Sequence, residues 1–110
     1  MVGCAAGDLA LAVIVVLRPA AVADIRTARE HYDQARSGLG EDLATDLDRL
    51  FARLEAFPRS APLVADYEPV RRACLRRFPY AVFYRTDEKQ IEILRVVHTA
   101  RSPEAWRGPG

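Results

Sequence analysis

The sequence predicts an α+β domain, ordered β-α-α-β-β-β, in which a helical hairpin packs on a mostly antiparallel four-stranded sheet. Three observations carry that prediction. An apolar run of strand length comes first, two stripes of helical period follow with a glycine-rich break between them, and three strand-like runs close the chain.

The first strand is expected over about 11–18, where Leu11 to Leu17 are uninterrupted apolar residues. The apolar run resembles the core of a secretion signal, but Asp8 precedes it and Arg18-Pro19 follows it. It is also far too short to span a bilayer. Pro19 suits the first turn of a helix, where a missing N–H costs nothing. Ala21, Ile25, Ala28, Tyr32 and Ala35 then form one stripe of a helix over roughly 20–36, which Ser37-Gly38 stops. Leu43, Leu47, Leu50, Leu54 and Phe57 repeat the offsets in a second helix over about 40–57, with Phe51 widening the stripe. The short turn between them makes an antiparallel hairpin.

Pro58, Pro62 and Pro69 keep 58–70 irregular. Strands are expected over about 71–77, 79–86 and 90–98, the last two joined by the polar turn Thr86-Asp87-Glu88-Lys89. Alternation puts Tyr80, Val82 and Tyr84 on one face of their strand and Ala81, Phe83 and Arg85 on the other. The final strand, apolar on both faces apart from Glu92 and Arg95, belongs inside the sheet. Residues 1–10 read as a disordered N-terminal extension and 11–107 as a single domain.

Half of the 110 residues are apolar and 28% are charged, an ordinary globular balance. Cys4 and Cys74 are too few for a disulfide framework and form no CxxC pair, which points to a reducing, cytoplasmic setting with Cys74 as a small buried strand residue. The formal charge is +1, unevenly divided: residues 1–70 carry seven arginines against eleven carboxylates, and residues 71–110 carry nine cations against four. That split disfavours a general nucleic-acid coat and leaves room for one basic site. No phosphate-binding glycine loop, metal-ligand cluster or nucleophile–base–acid set is present, so neither a cofactor nor a metal is expected.

The basic site is expected from Arg71, Arg72, Arg76 and Arg77, beside the aromatic strand. Arg72, Cys74 and Arg76 share a face by alternation, and a groove there, joined by Arg101 and Arg107, would receive a phosphate backbone or an acidic protein segment. Arg77, on the other face, is placed to pair with an acid from the helices. His98 either works as a general acid or base or caps the strand end. His31 reads as a surface residue, and the acidic residues of the hairpin as a solvated face.

Four segments in this order resemble the RelE/ParE superfamily of type II toxin–antitoxin toxins: Pro19-Ala20-Ala21 with Asp24-Ile25; Leu54 to Pro58; Leu75 to Tyr84; and Ile93 to His98 followed by Arg101-Ser102-Pro103. The resemblance covers about 11–106 and is ParE-like, a class that includes plasmid stabilisation proteins. It implies a small toxin in a hetero-oligomer with a cognate antitoxin, and no membrane association. ParE-like members poison DNA gyrase; RelE-like members cleave mRNA on the ribosome. In the second class Arg76 matches the strand arginine, Arg101 the late arginine, and Trp106 falls near a late tyrosine. The lysines of that class have no counterpart here, where Lys89 is the only lysine. An indole N–H cannot shuttle a proton, although Trp106 can stack on a base. Resemblance and residues together give Arg72, Arg76, Arg101, Trp106 and Arg107 as the antitoxin- or target-binding set. His98, Arg76 and Arg101 would be catalytic residues only in a ribonuclease. A toxin homologue that persists as a non-toxic binding module is the remaining alternative.

Overall fold

The computed structural model describes residues 13–100. The expected extension at 1–10 and the residues Arg101, Trp106 and Arg107 lie outside that range. The elements are β1 (Ile14–Leu17), α1 (Pro19–Ala35), α2 (Leu39–Ala56), β2 (Arg71–Cys74), β3 (Tyr80–Thr86) and β4 (Gln90–His98). The sheet order is β1-β4-β3-β2. β1 runs parallel to β4, and the other two pairings are antiparallel. β4 is therefore an interior strand, and β1 and β2 are the edges.

The helical hairpin turns through Gly38, whose φ of 94° lies in the left-handed region. Asp33 of α1 accepts the Gly40 N–H at 2.8 Å and so satisfies one of the orphan donors at the start of α2. A Cβ at Gly40 would lie 2.7 Å from Asp33 Oδ2 and 2.8 Å from the Arg29 carbonyl oxygen. Only glycine lets the two helices meet this closely.

The stripe of α2 packs as its spacing predicts. Leu43, Leu47, Leu50 and Leu54 meet Val82, Tyr84, Ile91 and Ile93 in one core, none of them more than 2% exposed. Each such burial contributes about 1.5–3 kcal/mol before entropy is counted. Phe57 departs from the stripe and is 65% exposed, because the helix ends at Ala56 and the backbone of Phe57 is no longer helical. The Tyr84 hydroxyl donates to the Pro58 carbonyl at 2.8 Å, and burial raises its pKa.

The face of the sheet away from the helices is not an open basin. The segment 61–70 folds across it and sets Val64, Tyr67 and Val70 against Ala81, Phe83, Leu94 and Val97. Pro62 and Pro69 keep this segment irregular, yet its apolar residues still cover sheet surface. The groove expected on this face is thereby confined to the β2 edge.

β2 is shorter than the expected 71–77. Beyond Cys74 the chain bends, with the Leu75 N–H still reaching the Tyr80 carbonyl. The Arg77 N–H donates at 2.9 Å to Asp46 Oδ2 of α2. Asp46 is 4% exposed, so it is a buried anchor and not part of a solvated acidic face. An acid from the helices does meet Arg77, but through the backbone N–H and not the guanidinium.

β4 carries a bulge. Tyr84 pairs with Ile93 while Phe83 pairs with Arg95, which leaves Leu94 as the extra residue. Ile91 and Ile93 face the helices before the bulge, and Val96 does so after it. Odd positions face inward on one side of the bulge and even positions on the other.

Candidate functional site

Two groups of polar residues stand out. The first is the outer end of β2. Arg72 and Cys74 lie opposite Phe83 and Ala81, on the face away from the helices. Arg72, Cys74, Arg76 and Arg77 are all exposed. Cys74 is thus a free surface thiol, contrary to the buried position expected for it, because it lies at the end of an edge strand.

Among the described residues the ion pairs are Arg18 and Arg85 with Glu92, Arg29 with Glu41, and Arg95 with Asp24. Arg71 donates to the carbonyls of Arg59 and Ala61 at 3.1 and 2.7 Å, holding the 58–62 turn to the sheet. Its role is structural. The guanidinium groups of Arg72, Arg76 and Arg77 enter no ion pair within the described chain, and their charge is presented outward.

The second group surrounds a cleft of about 520 Å³ between α1 and the end of β4, lined by Asp24, Thr27, His31, Tyr80, Arg95 and His98. His98 reaches it because the bulge turns position 98 to the helix side, opposite Tyr80. Their rings meet edge to face, 5.2 Å between centroids. His98 Nδ1 accepts the Ala100 N–H at 3.0 Å. An acceptor Nδ1 carries no proton, so the neutral ring holds its proton on Nε2. Donation as an imidazolium acid would first cost the bond that shapes the Thr99–Ala100 turn. Tyr84, on the same strand face as Tyr80, is buried with its hydroxyl on Pro58.

His31 shares the cleft with His98, although its sequence context marked it only as a surface residue. Asp24, which the sequence marks only as part of a family segment, lines the cleft and binds Arg95 and the Val96 N–H. No sequence signal joins positions 24 and 95. Arg76 does not line this cleft, so the structure does not bring Arg76 and His98 together there. A more apolar hollow of about 550 Å³, between Phe57–Ser60 and Thr86–Glu88, contains none of the site residues read from the sequence. Among the described residues no three His, Cys, Asp or Glu side chains gather as metal ligands would, and no helix is long and apolar enough to cross a membrane.

A helical hairpin on a mixed four-stranded sheet, with this order of elements, defines a small α+β domain. The family model described as the ParE toxin of type II toxin-antitoxin system, parDE, matches residues 15–103, and the chain belongs to that family. A solved structure titled "Chromosomal ParDE TA system from P. aeruginosa" superposes with a TM-score of 0.68 at 22% identity, covering 78% of this chain and 95% of that one. At that identity the likeness is one of fold. A search of curated protein sequences gives no match.

Proposed function

We propose that this ParE-family chain inhibits DNA gyrase by occupying a surface of it, and that a cognate antitoxin neutralises the chain in a cytoplasmic hetero-oligomer. The observation that carries the binding part is the outward charge of Arg72 on the edge strand and of Arg76 and Arg77 just beyond it, unpaired among the described residues, in a chain whose other strand arginines are engaged by its own oxygens. Guanidinium groups exposed in this way suit the carboxylates of a protein partner. Arg101, Trp106 and Arg107 are assigned to the same binding role from the sequence. Membership of a toxin–antitoxin family supports the reading.

The test is a supercoiling assay with purified gyrase. The expected result is loss of supercoiling with accumulation of cleaved DNA, while mRNA in a translating extract stays intact. Intact supercoiling with cleaved mRNA would overturn it.

A second reading, ribosome-dependent mRNA cleavage through His98, Arg76 and Arg101, draws on one observation. His98, His31 and Tyr80 share a cleft and offer groups able to carry protons. The engaged Nδ1 of His98 and the absence of Arg76 from that cleft weigh against it.

A further inference from the structure

The outer edge of β2 is already half used by the chain itself. Leu63 bridges Arg71 in antiparallel fashion, with the Val64 N–H on the Val70 carbonyl and the Arg72 N–H on the Pro62 carbonyl. In such a ladder Pro62 and Arg72 would exchange two bonds, but proline has no N–H to return. The Arg72 carbonyl receives no backbone bond among the described residues. One step further, Ser60 directs its N–H to the Phe57 carbonyl, so the covering segment has left the edge.

Alternation fixes what remains. Arg71, Ala73 and Leu75 turn their backbone groups toward β3, as the Leu75 N–H on the Tyr80 carbonyl shows. Cys74 therefore turns both its N–H and its carbonyl outward. An incoming extended chain would find an acceptor on Arg72 and a donor and an acceptor on Cys74, in line with the bonds Pro62 began. Arg72 lies two residues before Cys74 and Arg76 two residues after it, both exposed, and Leu63 beside the opening is 44% exposed.

We infer that the β2 edge at Arg72–Cys74 is a docking site for an extended acidic segment of a partner protein. The segment adds as a strand where Pro62 stops, its backbone on Cys74 and its carboxylates on Arg72 and Arg76. The inference rests on the proposed role as a partner-binding toxin and names the place and chemistry of one contact. Charge complementarity commits the occupant to a carboxylate-bearing peptide, and the open backbone groups commit it to an extended one. A phosphate backbone has no donors and acceptors spaced to meet a strand edge.

The experiment titrates the isotopically labelled full-length protein with a capped peptide of alternating Glu and Val, followed by amide NMR. The expected result is a set of shifts centred on Cys74 and Leu75, with affinity falling about tenfold in Arg72→Gln/Arg76→Gln and about tenfold when alternate peptide nitrogens are methylated. The methylated probe leaves the protein untouched, so the result stands even if the double variant folds poorly. Equal binding of the methylated peptide, shifts centred on β1 instead, no shift at millimolar peptide, or tighter binding of a single-stranded RNA of equal charge at the same amides would each overturn the inference. The gyrase assay does not require strand addition at Cys74. Gyrase inhibition without shifts at Cys74 sinks the docking site alone, and the reverse sinks the gyrase target alone.

Discussion

Asp24 grips Arg95 with both carboxylate oxygens, at 2.7 and 3.0 Å, and the oxygen that receives Arg95 Nε also takes the Val96 N–H at 2.9 Å. The two side chains are 16% and 14% exposed. One helix residue thereby clamps the bulge of β4 at the point where its inward positions change parity. The hydrogen-bonded carboxylate raises the pKa of Arg95 further.

Asp24→Asn leaves a largely buried guanidinium without its counter-charge and should destabilise the fold by about 2–4 kcal/mol. Urea denaturation measures the loss. Asp24→Asn/Arg95→Met, which removes the stranded charge as well, should recover a substantial part of it. If the double variant is no more stable than the single one, the ion pair is not what holds the bulge.

Gly40→Ala places a methyl group 2.8 Å from the Arg29 carbonyl oxygen, a backbone atom that cannot swing aside. The helices must separate, at a cost of about 1–3 kcal/mol. Thermal melting should show the decrease. A melting temperature unchanged from the parent would show that the interhelical approach at Gly40 is looser than described.

Glu92 lies between Arg18 and Arg85, at 2.8 and 2.6 Å, and these two guanidinium groups hold its carboxyl below the ordinary value of 4.5. A carboxyl with a lowered pKa in the folded state binds fewer protons there than in the unfolded chain. Its contribution is complete above the unfolded value and is lost as pH falls through the lower folded one. Glu92→Gln should therefore lose less stability than the parent as pH is lowered from about 5 to 3. Asp87, whose carboxyl is lowered by the Lys89 and Gln90 N–H groups, shifts in the same direction and stays intact in both proteins. Parallel acid limbs in the two proteins would remove Glu92 from the account.

His98→Ala separates the two readings of function. If the protein acts by occupying gyrase, the variant should stop growth as effectively as the parent when expressed, since the imidazole serves the Thr99–Ala100 turn. A ribonuclease using His98 would lose toxicity with a folded chain, shown by an unchanged circular dichroism spectrum.

The candidate sites were legible in unequal measure. The run of arginines at 71–77 announced a basic feature, but their separate tasks did not show in the sequence. Arg71 proves to hold carbonyls, Arg77 is held by its own N–H, and Arg72 and Arg76 remain outward. These differences arise from partners 10 to 31 positions away along the chain. Cys74 was misread because strand alternation gives a residue's face and says nothing of whether that face is covered. The cleft was half visible: His98 stood out by residue type, whereas His31 gained meaning only from its neighbour across the cleft.

What the sequence determined by itself was the order of the elements, the inward stripe of α2 and the interior place of β4. Each of these is written in local periodicity, the spacing at which apolar side chains recur along a helix or a strand. Only the tertiary structure decided which side of the sheet His98 occupies, how 61–70 covers the far face, and where the β2 edge falls open. Those outcomes depend on one extra residue at Leu94, one carboxylate at Asp24 and one missing N–H at Pro62, each acting on a strand distant in sequence. Periodicity is blind to such contacts because they are made between segments, and a single residue inserted into a ladder reverses every side chain beyond it.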